Sequence, residues 1–203
     1  MTVQLDPATL DAAACYRLMT GVVVPRPIAW VSTLHEDGRV NLAPFSCYTF
    51  VSYEPILVGI SIGRRAGALK DTAANIQRER EFVLQVAHES EAALVHASAE
   101  PFPPTVSEVE QLGLRTEPSR LVRTPRLSTA PVALECALEQ VMTFGNAGSQ
   151  FVVGRVVLAH VHDELYRDGK IETDQLRPLA RIAGPSYATI GRLFRFRPNG
   201  QRG

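Results

Sequence analysis

Three stretches of the chain carry residue types at spacings that could do chemistry. Gly59-Ile60-Ser61-Ile62-Gly63 matches the GxSxG pattern of a serine nucleophile held on a sharp strand-to-helix turn. Such a turn needs a helix to begin almost at once. Here Ser61 sits between β-branched residues in an apolar run, and the next helix signal waits until after Arg64-Arg65-Ala66-Gly67. Ser61 is therefore expected to be an ordinary strand residue, with a serine hydrolase kept as a remote alternative. His160 and His162 stand two apart in a strand-like run, which would turn both to one side. No third ligand is spaced with them as a metal centre requires, so both are expected to be satisfied or solvent-facing.

The third stretch is a constellation: Arg26 to Thr33 (RPIAWVST), Asn41 to Ser46 (NLAPFS), then Arg64 and Lys70 to Ile76 (KDTAANI). Lys70 and Thr72 fall near the expected start of a helix. Unpaired N–H groups and the positive end of the helix dipole attract a phosphate there, and Arg64 in the preceding loop would add charge. Pro44 removes one N–H from ladder pairing and argues against a regular central strand over Asn41 to Ser46, leaving main-chain polar groups free to meet a flat heterocycle. No GxGxxG turn or GxxxxGK[ST] loop is present, so a Rossmann or P-loop nucleotide site is unsupported.

The elements that must position these residues follow from periodicity. Asp6-Pro7 has the form of a helix start, with Leu10, Ala14 and Leu18 at helical spacing behind it. Ile28 to Leu34 predicts a strand closed by a Glu36-Asp37-Gly38 turn, and Ile56 to Ile62 and Phe82 to Ala87 predict two more. Ala68 to Arg80 has helix-forming composition, with Leu69, Ala73 and Ile76 on one face. Residues 100 to 125 carry five prolines and little periodicity, and read as a long excursion over the surface. Val132 to Phe144 and Phe151 to His162 form a hairpin about Gly145-Asn146-Ala147-Gly148. Sequential strands joined by short turns predict an antiparallel barrel rather than a doubly wound parallel sheet, in one domain spanning 1 to 203.

Composition excludes several classes. Basic and acidic side chains balance at 21 each, so no whole-chain field favours nucleic acid or an anionic membrane surface. No apolar run approaches the roughly 20 residues of a membrane-spanning helix, and the N-terminus lacks the pattern of a secretory signal. Cys15, Cys47 and Cys136 are odd in number and widely separated, which argues against a disulfide framework and fits the reducing cytoplasm.

In this order, the three segments of the constellation resemble the flavin-reductase-like FMN-binding split-barrel family, which includes flavoredoxins. The resemblance runs from about Tyr16 to Val86, and resumes more weakly near Phe151 to Val156 and Leu176 to Tyr187. It implies a mainly β fold with accessory helices, a six-stranded antiparallel split β-barrel, paired as a homodimer with FMN near the interface. Thr33, Asn41, Ala43, Pro44, Phe45 and Ser46 would lie against the flavin ring and ribityl chain, Arg64, Lys70 and Thr72 would hold the phosphate, and Asp71 would order the loop. Arg181 to Tyr187 resembles the family's arginine, glycine and tyrosine segment, with Tyr187 a flavin neighbour, although Ala183 stands where a glycine is expected. The implied chemistry is hydride transfer from NADH or NADPH to FMN, with a separate monooxygenase as a candidate recipient and His162 a candidate for nicotinamide docking. A carrier that holds FMN and takes electrons from a protein donor is the alternative.

Overall fold

Asp6 does cap a turn, but only the 3-10 turn Pro7–Thr9, through its carboxylate and Ala8 N–H at 2.9 Å. Leu10 is then extended, and a second cap, Asp11, accepts from Ala14 N–H at 2.6 Å and starts the helix proper, α1 (Ala12–Val22). The helix begins later than Asp6-Pro7 implies because Asp11 offers its own cap. Its last carbonyls are taken by Arg26, whose guanidinium donates to Thr20 O at 2.7 Å, Val23 O at 2.6 Å and Ile182 O at 2.7 Å. α1 buries none of its residues, and Tyr16, Met19 and Val22 stay exposed.

The computed structural model describes residues 1–194 and residue 196. Its main sheet is built from β1 (Ala29–Leu34), β2 (Val40–Phe45), β3 (Tyr48–Tyr53), β4 (Ile56–Ile62), β5 (Glu81–Val86), β6 (Val132–Phe144) and β7 (Ser149–Val161). Every pairing is antiparallel, in the order β2-β1-β5-β6-β7-β4-β3. The sheet thus has seven strands where six were expected. The strand without a sequence signal is β3, whose Thr49, Phe50, Val51 and Tyr53 are all exposed, so no buried face gives it a period of two.

Strand β1 is buried on both faces. Ala29 and Val31 join Phe45, Ile60, Ile62, Ile76, Phe82 and Val152 in one cluster, while Trp30 joins Ile28, Leu42, Val95, Val109 and Leu127 in another. Helix α2 (Asp71–Glu79) packs over the first cluster through Ala73 and Ile76. Helices α3 (Ala92–Ala97) and α4 (Glu108–Gln111) contribute Val95 and Val109 to the second.

Two glycines in the strands are there for aromatic rings. A Cβ on Gly154 would lie 2.4 Å from Phe82 Cζ, and Phe82 is wholly buried. Gly154→Ala is expected to cost about 1–3 kcal/mol through overpacking, read as a lower denaturant midpoint. Gly59→Ala meets only the far end of the ring of Phe151, which is half-buried where Phe82 is wholly buried, so its cost should be the smaller of the two. A Gly154 variant as stable as the parent would overturn this account.

Residues 100 to 125 do run outside the sheet, but they are strapped to it. Glu135, a wholly buried residue of β6, accepts from the N–H groups of Arg120 (2.7 Å), Leu121 (2.6 Å) and Val122 (3.2 Å). Glu81 accepts from Arg123 N–H and Thr124 N–H, both at 2.8 Å. Glu108 accepts from Leu42 N–H at 2.9 Å. These carboxylates replace the hydrophobic periodicity that the strap lacks.

Candidate functional site

Strand β2 is the last strand of the sheet on its side and pairs with β1 alone, with Thr33 opposite Asn41 and Trp30 opposite Pro44. That position explains why a proline is tolerated. As Pro44 requires, the segment is not a central strand but an edge strand through Phe45, bending at Ser46. On its outer side Ser107 Oγ donates to Val40 O at 2.6 Å, and Glu108 takes the Leu42 N–H.

Beneath this edge lies a buried polar network. Asn41 Nδ2 donates to Thr33 Oγ1 at 3.1 Å and to Thr72 Oγ1 at 3.0 Å, and Asn75 Nδ2 donates to Thr33 Oγ1 at 3.1 Å. All four residues are buried, so the network locks the start of α2 to the edge strand. Asn75 stands in the motif read from sequence, yet it had no assigned role. The signal available was its position three residues after Thr72, on the same helix face.

Helix α2 opens toward a cavity. Lys70 at its N-cap position offers no side-chain hydrogen bond to the first turn, so the positive end of the helix keeps donor capacity. Lys70 Nζ sits 5.8 Å from the Phe45 ring centroid. Burial, aided by the Arg65 charge, pushes the Lys70 ammonium below the ordinary lysine range. An anion placed here would restore the favourable protonated state.

The cavity, of about 120 Å³, has three walls. The edge strand gives Asn41, Ala43, Pro44 and Phe45; the start of α2 and its loop give Arg65, Lys70, Asp71 and Thr72; the third wall is Ser98, Ala99, Glu100, Phe102 and Glu108. The structure therefore brings together six of the residues expected to touch flavin, Asn41, Ala43, Pro44, Phe45, Lys70 and Thr72, along with Asp71. Thr33 lies buried behind Asn41, and Ser46 sits half-buried beyond the end of β2.

Arg64 does not border the cavity. Its Nε donates to Gly148 O at 3.0 Å and its Nη1 to Gly67 O at 3.1 Å, while its neighbour Arg65 faces the cavity instead. The cause is a tight turn at Ala66 (φ 47) and Gly67 (φ 81), closed by reciprocal bonds between Arg65 and Ala68, which sends the two arginines different ways. Tyr187 is also outside the cavity lining. It bonds His96 Nδ1 at 3.1 Å and stacks under the Arg181 guanidinium at 4.5 Å.

The histidine pair does not share a strand face. β7 ends at Val161, and His162 is exposed, with its N–H on Pro131 O at 3.0 Å. His160 Nε2 lies 2.6 Å from Glu135 Oε1. Both border a separate cleft with Glu117 and Arg126. Ser61 lies inside β4 opposite Phe151 with its N–H on Cys47 O at 2.8 Å, and no strand-to-helix elbow exists there.

This mainly β antiparallel architecture with few helices is shared with solved split-barrel proteins. The chain belongs to the flavin reductase-like family, whose domain model matches residues 19–179. An uncharacterized protein, BH2278, of Halalkalibacterium halodurans is 44% identical over 196 residues, 94% of each chain. Nitrilotriacetate monooxygenase component B from Bacillus cereus superposes with a TM-score of 0.94 at 33% identity, covering 97% of this chain and 99% of that one. A protein of Shewanella frigidimarina with a split barrel domain shares the fold at a TM-score of 0.83 and 20% identity, over 94% of both chains. No helix among the described residues is long and apolar enough to cross a membrane.

Proposed function

We propose that this protein is an NAD(P)H-dependent flavin reductase that binds FMN without covalent attachment. The observation that carries the reading is the juxtaposition of the uncapped N-terminus of α2, with Lys70 and Arg65, and the edge strand Asn41–Phe45. The donor set fits a phosphate: a helix start, a partly desolvated ammonium and a guanidinium on one side of a small cavity. Thr72 would add its N–H at the helix start, Asn41 and Ala43 to Phe45 would flank the ribityl chain and ring, and the Thr33 network would hold that surface rigid. Bound flavin would supply the hydride-accepting chemistry, so the chain's residues need only bind, orient and leave one face open.

A second copy completes the site in this reading. The cavity is well below the roughly 300 Å³ at which ligand pockets begin, so the ring system would extend beyond it. Exposed Tyr16, Met19 and Val22 on α1, with Phe50, Tyr53 and Ile56 on and beside β3, offer an apolar surface suited to a homodimer. The likeness to a monooxygenase component B supports a role as the reductase that supplies reduced flavin to a separate oxygenase. Three free thiols, Cys15, Cys47 and Cys136, suit a reducing cytoplasm.

The test is rapid mixing of the FMN-loaded protein with NADH and, separately, NADPH. The flavin's visible band should bleach far faster than that of free FMN with at least one donor. If neither donor does so while FMN stays bound, the protein is an FMN-holding electron carrier instead. His162→Ala should leave the bleaching rate unchanged, since His162 lies outside the cavity lining; a large loss would return it to the site.

A further inference from the structure

The third wall of the cavity stands at a particular end of the site. Glu100, Phe102 and Glu108 line the same small space as Lys70, Asp71 and Thr72, at the start of α2. In the proposed mode of binding, that is where the phosphate of FMN sits. In FAD the same phosphate continues into a second phosphate and an adenosine. Resting on that mode of binding, we propose that the wall from Ser98 to Glu108 makes the site selective for FMN over FAD, with Phe102 and Glu100 as the specificity-determining residues.

Discrimination by a wall requires that the wall cannot step aside. Trp30 Nε1 donates to Ser98 Oγ at 2.9 Å in a buried bond, and Ser98 Oγ donates to Val95 O at 3.0 Å, which pins the near end to β1 and α3. Ser107 and Glu108 pin the far end to Val40 O and Leu42 N–H of the edge strand. Between the pins, Pro101, Pro103 and Pro104 restrict the backbone, and internal bonds from Phe102 N–H to Glu100 O and from Val106 N–H to Pro103 O, both 2.9 Å, hold its turns. Phe102 is half-buried, so its ring occupies space at the cavity rather than solvent alone.

Charge works in the same direction as shape. The cations at the cavity, Lys70 and Arg65, belong to α2 and its loop, whereas the wall contributes carboxylates, Glu100 and the buried Glu108. Burial pushes the Glu108 carboxyl above its ordinary range, although the Leu42 N–H acts against that rise. A single terminal phosphate can be met by Lys70, Arg65 and the helix start, which offset the Asp71 carboxylate on the same side. A diphosphate reaching outward would bring its second anionic group toward Glu100, an arrangement that disfavours the larger ligand without weakening the smaller.

The experiment is equilibrium titration of the flavin-free protein with FMN and with FAD, followed by flavin fluorescence. The wild type should bind FMN at least about tenfold more tightly than FAD. Phe102→Ala should narrow that ratio several-fold by tightening FAD, and Glu100→Gln, a change at an exposed position, should narrow it as well. Circular dichroism checks that Phe102→Ala is folded, and Glu100→Gln carries the test if it is not. Equal affinity of the wild type for both flavins, or ratios unmoved in folded variants, would overturn the inference and leave the FMN site intact. Failure to bind either flavin would overturn the flavin site itself.

Discussion

Glu135→Ala is expected to lower stability by about 3–5 kcal/mol, the range for removing one member of a buried, hydrogen-bonded ionic group. The substitution leaves three backbone N–H groups, those of Arg120, Leu121 and Val122, without their acceptor, and takes away the partner of His160 Nε2. Urea denaturation would read the loss as a lower midpoint. Glu135→Gln should fall between the two, because one amide oxygen can still accept while the amide NH₂ confronts a donor. A loss below about 1 kcal/mol for the alanine variant would show that the strap is held by something else.

The same residue sets a pH dependence. Burial pushes the Glu135 carboxyl upward, but the hydrogen bonds from His160, Arg120 and Leu121 outweigh it and hold the group below its ordinary value of 4.5. A carboxylate with a depressed folded-state pKa contributes stability that is fully present above the unfolded value. That contribution is lost as pH falls through the folded one. Wild-type protein should therefore lose stability on acidification below about 4.5, and Glu135→Ala should lose less over the same window.

Lys70→Ala is the second large effect, this time on binding. A charge-assisted hydrogen bond to an anion is worth about 1.5–3 kcal/mol, so the FMN Kd should rise by about 10- to 150-fold. Stability should change little, since the half-buried ammonium is itself partly desolvated without a carboxylate partner among the described residues. The pH profile offers a second readout. Because burial lowers the Lys70 pKa, and an anion prefers the protonated form, FMN affinity should begin to fall at a lower alkaline pH than an ordinary lysine near 10.5 would allow. Unchanged affinity in Lys70→Ala would move the phosphate away from α2.

Much of this architecture was legible in the residues. Ile56 to Ile62 announces a strand because Val58, Ile60 and Ile62 recur with a period of two and are buried, and the long hairpin is marked by glycines at 145 and 148 that the turn places at positive φ. The edge strand and helix start of the site were legible as a constellation of polar and basic residues. What was hidden depends on contacts far apart in sequence. Leu42 and Glu108 are 66 residues apart, so nothing local signals that a proline-rich segment folds back to wall the cavity. Arg64 and Arg65 are neighbours of one type, and only the left-handed turn that follows decides which one faces the site. Strand β3 carries no such signal because Phe50, Val51 and Tyr53 are all exposed, a pattern that periodicity cannot distinguish from a loop.

The two ends of the sheet differ in how they meet other chains. At β2 the outward carbonyl of Val40 and the outward N–H of Leu42 are already occupied by Ser107 and Glu108, and Pro44 has no N–H to give. An unprotected strand edge is a template on which further strands can add without limit. With β2 closed in this way, sheet-to-sheet growth is blocked on that side, while β3, at the other end of the same sheet, has an outer edge that no strand among the described residues covers. A sheet capped at one of its two ends cannot be extended through both, so strand addition has no route to a fibre.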